Sequence, residues 1–443
     1  VAISGYYVGL LLVGLVPVIF FGTDPASAFT TLGVVIAIWL IIGLIDFALA
    51  AAPRLLSVER ELPDRVRLGE PVASTLLLTN LGTRTLNGVV RDAWEPSAGS
   101  GRMRETVRIP AGERRAVQRT LRPWRRGDRR SEMVVVRSWG PLRLVARQAT
   151  LRSPGRVRIL PPFNSRRHLP SRVARLRELD GATTLQVRGQ GTEFDSLRDY
   201  VRGDDVRSID WRATARRIGE NAAGKTGLVV RTWRPERDRR VIILIDTGRT
   251  AAARIDDETR LDTAIESALL LAALATRAGD RVDLIAYDRR VRARVQGATG
   301  PALLSKIVDG MANVEPELIE TDWSAVPGLV RGITTHRALV VLLTTADHGG
   351  ASRALLESLP ELTRHHLVMV ASVADPDAVR ATTELDDRDA VYRAAAAERS
   401  LLDASRVRRA LTRFGADAIS APPLELPPRV ADRYLELKRA GRL

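Results

Sequence analysis

Two apolar runs near the start constrain this chain more than any other feature. Gly5 to Gly22 is eighteen residues without a charge, and Phe29 to Ala52 is a second run broken only by Asp46. Each approaches or exceeds the ~20 residues a helix needs to cross a bilayer. The first has the proportions of a signal peptide, but it lacks a basic leader and the second run follows at once. A two-helix transmembrane hairpin is therefore expected over residues 1–52. The link Thr23-Asp-Pro-Ala-Ser-Ala28 has no Lys or Arg, whereas Arg54 and Arg60 follow the second run. The positive-inside rule puts the link outside and the bulk of the chain in the cytoplasm. Asp46 has two readings. An ionisable group within a span is a functional candidate, and one near the inner end of a span reaches water at the interface.

Residues 53–160 change to short alternating stretches such as Val72–Thr79, Thr106–Ile109 and Met133–Arg137. Turn signals at Leu68-Gly-Glu-Pro71, Asn80-Leu-Gly82, Pro110-Ala-Gly112 and Arg126-Gly-Asp128 separate them. This spacing predicts a small antiparallel β-sandwich, a spacer or docking module with no catalytic group.

From Val241 the rhythm is α/β, and residues 237–380 are expected to form one domain. Val241–Asp246, Arg281–Tyr287, Ala338–Thr344 and His366–Val373 read as strands. Leu261–Ala278, Ala302–Met311, Ser324–Gly332 and Ala351–Leu359 read as helices. The alternation predicts a doubly wound, mostly parallel sheet of Rossmann type. Ligands of such sheets bind at the carboxyl ends of the strands, where Asp246 falls.

Composition removes several classes of function. The net charge of +16 is carried almost wholly by arginine, since only Lys225, Lys306 and Lys438 are lysines. The arginines alternate with Asp and Glu along the chain and aromatic residues make up 5%, so no nucleic-acid partner is expected. Cysteine is absent, which excludes disulfides, a thiol nucleophile and thiolate metal sites. The five histidines show no His-Glu-x-x-His spacing, and there is no Gly-x-Ser-x-Gly elbow. With no nucleophile–base pair legible, no enzymatic activity is expected.

Val241 to about Val373 resembles a von Willebrand factor A domain, whose metal-ion-dependent adhesion site (MIDAS) opens with Asp-x-Ser-x-Ser after the first strand. Here the residues are Asp246-Thr-Gly248-Arg-Thr250, with Gly248 in place of the middle serine. Thr321 corresponds to the family's distal threonine. The family's final Asp falls at Thr345, with Asp347 two residues on. The resemblance implies a degenerate site in which Asp246, Thr250, Thr321 and Asp347 hold Mg²⁺ or Mn²⁺.

Upstream, residues 161–236 carry Gly191-x-Glu-Phe-x-x-Leu-Arg-x-Tyr200 and Gly203-Asp-Asp-x-Arg-x-Ile-Asp-Trp-x-Ala-x-Ala-Arg216. These motifs resemble the signature of the bacterial domain-of-unknown-function 58 family, as does the ending Tyr434-Leu-Glu-Leu-Lys438. Members characteristically place two membrane helices, a β domain and a von Willebrand A-like domain in this order. The resemblance implies a multi-pass protein of the bacterial cytoplasmic membrane and a protein partner, a MoxR-type AAA+ ATPase, in protein maturation or envelope stress. Within the signature, Glu193, Asp204, Asp205 and Asp210 alternate with Arg198, Arg207 and Arg216 around Tyr200 and Trp211. Such a cluster either closes into one ion-pair network that welds the segment to the sheet or offers a polar docking surface.

Gly219-Glu-Asn-Ala-Ala-Gly-Lys-Thr226 matches the phosphate-loop pattern letter for letter. That pattern binds nucleotide only between a strand and a following helix, and the β-like Leu228–Trp233 follows here, so a β-turn loop is the expected reading. A nucleotide-binding ATPase and an envelope structural protein lying on anionic lipid remain the alternative functions. Residues 381–443 are expected to be a C-terminal helical segment, with a long helix from Asp386 to Arg413 and an apolar stripe including Val391, Leu401, Leu402, Val407 and Leu411.

Overall fold

The computed structural model describes residues 1–101, 104–184, 193–201, 205–220, 227–234, 239–347 and 349–443. It divides into two compact units, Val1–Pro162 and Phe163–Leu443.

The first unit opens with strand β1 (Ala2–Ile3) and helices α1 (Gly5–Val13), α2 (Val16–Phe21) and α3 (Pro25–Leu49). The first apolar run is thus not one helix; it breaks before Pro17, which cannot donate a backbone hydrogen bond. Asp24 starts α3 through a capping box with Ser27, and the helix then runs 25 residues, about 37 Å. Among the described residues, one helical stretch, Pro25–Leu55, is long and apolar enough to cross a membrane, and Gly5–Phe21 is shorter. The two meet along their length where Tyr7 Oη donates to the Trp39 carbonyl at 2.6 Å.

Asp46 follows neither sequence reading. It is fully buried, and its carboxylate accepts the backbone N–H groups of Leu142 (2.7 Å), Leu144 (2.9 Å) and Val145 (2.9 Å). A Cβ at Gly140 would lie 2.2 Å from its Oδ1, so glycine is required there. The charge does not reach for water; it fastens the end of α3 to a loop of the β region, satisfying three amides that would otherwise be orphaned.

That region comprises β2 (Leu56–Glu61), β3 (Arg65–Arg67), β4 (Val72–Asn80), β5 (Leu86–Trp94), β6 (Arg104–Ile109), β7 (Arg114–Leu121), β8 (Gly127–Trp139) and β9 (Val145–Leu160). One sheet is β2-β4-β7; the other is β1-β9-β8-β5-β6, with β3 pairing parallel to β9. Leu76 and Leu78 from the first sheet share a buried cluster with Val90, Ile109, Val134 and Val136 from the second. Alternating apolar side chains of both sheets thus meet in one core.

The second unit begins with α4 (Leu169–Thr184), β10 (Glu193–Asp199), α5 (Trp211–Glu220) and β11 (Val229–Arg234), with β10 and β11 paired antiparallel. Then come β12 (Arg240–Asp246), the short pair β13 (Arg254–Ile255) and β14 (Glu258–Thr259), α6 (Arg260–Arg277), β15 (Arg281–Tyr287), β16 (Val291–Val295), α7 (Gly300–Ala312) and α8 (Val326–Arg331). The chain finishes with β17 (Leu339–Leu343), α9 (Gly349–His365), β18 (Leu367–Val373), α10 (Pro376–Ala381), α11 (Arg388–Arg413), β19 (Asp417–Ala421) and α12 (Leu426–Arg439).

The six-stranded order is β16-β15-β12-β17-β18-β19, parallel except for β16 at the edge. Helices α8, α9 and α11 pack Val330, Leu359 and Val407 onto one face, while α6, α7 and α12 cover the other. The C-terminal segment differs from expectation: β19 adds a sixth strand to the sheet, and α12 buries Tyr434 against α6. Tyr434 Oη and Lys438 Nζ both donate to Asp280, at 2.5 and 3.0 Å, so the ending closes the α/β core. The apolar stripe of α11 is buried only in its later half, at Val407 and Leu411; Val391 and Leu402 are exposed.

Candidate functional site

The sheet order places a topological switch point between β12 and β17, because the chain leaves β12 for β15 on one side and returns to β17 on the other. Asp246 ends β12 at that point. Its carboxylate is 4% exposed and accepts three hydrogen bonds: Gly248 N at 2.8 Å and Thr321 Oγ1 at 2.5 Å on Oδ1, and Thr344 Oγ1 at 2.6 Å on Oδ2. Each donor comes from a different loop. Gly248 follows β12, Thr344 follows β17, and Thr321 arrives on the loop after α7, which is pinned by Glu317 N to Thr247 O and Arg249 N to Ile319 O, both 2.8 Å.

Gly248 stands where the resemblance places a serine, and the packing explains it. A Cβ there would lie 2.3 Å from Thr321 Oγ1. The threonine hydroxyl occupies the space a serine side chain would need. Thr250 lines the same small crevice with Asp246, Arg249, Glu320, Thr321, Trp323 and Thr344.

Asp347 is not brought to this carboxylate. It pairs with Arg260 at 2.6 Å, with both side chains largely buried, and accepts from Ser372 Oγ at 3.2 Å. Arg260, the first residue of α6, lines an adjoining crevice that Asp246 also lines. Burial pushes the Asp246 carboxyl above its usual range, against the lowering effect of Thr321, Thr344 and Gly248. Asp288, buried just past the end of β15, shows the opposite balance. Burial alone would raise it, but Arg292 at 2.6 Å, the amides of Arg289 and Arg290, and Thr247 together hold it low.

These residues do not fit a resident Mg²⁺ or Mn²⁺. A hard cation wants converging oxygen ligands, with carboxylates to balance its charge. The site offers one carboxylate already holding three hydrogen bonds, a second committed to a guanidinium, and that guanidinium beside the crevice. Among the described residues, no group of three or more His, Cys, Asp and Glu is placed to hold a metal.

The signature residues lie elsewhere in this unit. Asp210 caps α5 by accepting Arg212 N and Ala213 N, both at 3.0 Å, and pairs with Arg231 Nε at 2.7 Å. The Ala213 amide and Arg231 lower its carboxyl. Asp205 accepts Arg207 N at 2.9 Å, Arg198 Nη1 donates to the Asp199 carbonyl at 3.1 Å, and Tyr200 N donates to Leu228 O at 2.7 Å. Trp211, Arg207 and Arg216 are exposed. Among the described residues the segment carries the β10–β11 backbone pairing, the Asp210 cap and the Asp210–Arg231 ion pair; Asp204 and the Glu193 side chain lie outside them. For the Gly219–Thr226 motif, residues 219 and 220 end helix α5, residues 221–226 lie outside the described set, and β11 follows. Helix before and strand after is the reverse of the order a phosphate loop requires.

Thr344 and Arg260 were not singled out in the sequence. Thr344 had a usable signal, since it directly follows a buried strand at the switch point. Arg260 had none, because nothing in its local pattern distinguishes it from the many other arginines.

No curated protein matches this chain. Solved structures similar to parts of it include the CARDB domain of a Pyrococcus furiosus protein, at 19% identity and TM-score 0.19 over 24% of this chain and 91% of that one. The complex of zinc 2-glycoprotein and prolactin inducible protein from human seminal plasma has 10% identity and TM-score 0.21, over 24% and 93%. A Listeria innocua β-glucosidase has 16% identity and TM-score 0.16, over 23% and 16%. Residues 196–391, from within β10 to within α11, match the family described as protein of unknown function DUF58, and this match supports that family for the chain.

Proposed function

We propose that this chain is a membrane-attached adaptor whose von Willebrand A-like α/β unit binds a protein partner at the Asp246 crevice. The observation that carries the reading is the meeting of three loops on one buried carboxylate at the switch point, rimmed by the exposed Arg249–Glu320 pair. The carboxylate is engaged in fixing loop shape rather than held open as a base, which suits recognition better than proton transfer. The family resemblance makes a MoxR-type AAA+ ATPase the first partner to test. The helices α1–α2 and α3 form a two-span hairpin, with the bulk of the chain cytoplasmic, by the positive-inside argument.

The test is recovery of partners from gently solubilised native membranes with the wild-type chain and with Arg249→Glu, a rim substitution that leaves Asp246 and its donors intact. Recovery of an AAA+ ATPase that is lost with the variant supports the reading. Recovery unchanged by the variant places the interface elsewhere.

A further inference from the structure

We propose that the end of the β-sandwich surrounding the close of α3 is a collar that lies against an anionic bilayer face. The proposal rests on the reading that α3 crosses the membrane. Three large apolar side chains are exposed in this small region: Leu55 at 51%, Leu81 at 68% and Leu142 at 59%. They belong to three different loops that all meet the end of α3. Leu142 N donates to Asp46, Leu81 N donates to Leu55 O at 3.0 Å, and Arg84 Nη1 donates to the Ala48 carbonyl at 2.6 Å.

A single exposed leucine needs no explanation. Three around one helix end, continuous with the exposed Ile45 and Leu49 of α3 itself, form an apolar ring where a span would leave the bilayer. The loops that carry them, residues 53–55, 81–85 and 140–143, include the exposed Arg54, Arg84 and Arg143 and no Asp or Glu. Arginine stems cover apolar surface while their heads reach phosphate, and an anionic leaflet attracts them. The Asp46 clamp gives the collar its purpose. With the carboxylate holding three amides of the 140–145 loop, the β domain cannot swing about the helix end, so the leucines are presented at one fixed depth.

The chain has no cysteine, so single cysteines can be spin-labelled one at a time in the full chain. Leu55→Cys, Leu81→Cys and Leu142→Cys are compared in lipid nanodiscs with Val34→Cys, exposed midway along α3, and Trp124→Cys. Trp124 is exposed beyond Leu121, which pairs with Val72 at the far end of β4 from Asn80. The collar requires oxygen collisions to exceed collisions with a water-soluble nickel chelate at 34, 55, 81 and 142, and the reverse at 124. It also requires the collar labels to sit deeper in phosphatidylcholine mixed with phosphatidylglycerol than in phosphatidylcholine alone, with the difference lost in Arg54→Gln/Arg143→Asn. A membrane reading at 34 with aqueous readings at 55, 81 and 142 overturns the collar and leaves the span standing. An aqueous reading at 34 overturns the span and the collar together. Equal depth in both lipids overturns the anionic preference.

Discussion

In the β-sandwich the buried carboxylate of Asp92 meets a cation, whereas in the α/β unit Asp246 meets only neutral donors. Asp92 accepts Arg60 Nη1 and Nη2 at 2.9 and 2.8 Å, Trp94 Nε1 at 2.8 Å and Ser131 Oγ at 3.0 Å, and the Arg60 guanidinium lies 5.1 Å from the Trp94 ring centre. Every element of that cluster belongs to the sandwich core. Asp246 is equally enclosed but is held by one amide and two hydroxyls delivered by loops at the edge of a crevice. A buried carboxylate balanced by a bidentate arginine is a structural part. One held only by neutral donors at a switch point, where ligands of such sheets bind, has no such structural partner, and that contrast is what makes the crevice the candidate site.

The largest expected effect tests the first half of the contrast. Asp92→Ala leaves Arg60, whose side chain is 4% exposed, without its counter-charge, and should cost about 3–5 kcal/mol in denaturant unfolding of the full chain in detergent. A loss below about 1 kcal/mol would mean the pair behaves like a surface one and does not differ in kind from Asp246. Gly248→Ser comes next. Its Cβ must displace Thr321, at an expected cost of about 1–3 kcal/mol, and Thr321→Ala in the same chain should recover most of it. A single variant that is instead neutral and gains saturable Mg²⁺ binding by calorimetry, against an expected absence of heat from the wild type at millimolar ion, would show that the residues at this site do fit a metal.

The two kinds of carboxylate also differ in how stability should depend on pH. Burial pushes Glu258, just before α6, up to about 7 from 4.5, against a hydrogen bond from Thr263. The folded protein then holds this proton more tightly than the unfolded chain. Its contribution is present below pH 4.5 and is lost as pH rises toward about 7, a decline that Glu258→Gln should flatten. Asp288, partnered by Arg292, has the opposite sign: its contribution is present above 3.8 and lost as pH falls through its lowered value, so Asp288→Asn should blunt acid sensitivity. Equal slopes for both variants would erase the distinction between charge-paired and neutrally paired carboxylates. The smallest effect is expected at the rim, where Glu320→Gln in the half-exposed pair with Arg249 should change stability by no more than about 1 kcal/mol while altering partner recovery.

Much of the architecture could be read in one dimension because it rests on period. The buried run Val241–Asp246, the 3.6-residue spacing of α6 and the alternation in β4 each bury one face or a whole strand, and burial follows directly from apolar position. The edge strand β16 and the sixth strand β19 were not legible for the same reason. Val-Arg-Ala-Arg-Val and Asp-Ala-Ile-Ser-Ala are half-polar edge sequences that become strands only by pairing with β15 and β18.

Residue order alone dictates that apolar helical stretches lie at the start, that alternating strands follow, that a βα sheet ends its first strand in Asp246, and that thiol chemistry is excluded. Those properties depend on residue type and local spacing. The partners of the buried charges came from the folded arrangement. It turned Asp46 from a membrane oddity into a clamp on three amides, put Arg260 on Asp347, and set Thr321 and Thr344 on Asp246. Hydrogen bonds and ion pairs act over about 3 Å between groups 75 to 99 residues apart, and no local pattern in a chain specifies which distant loops will meet.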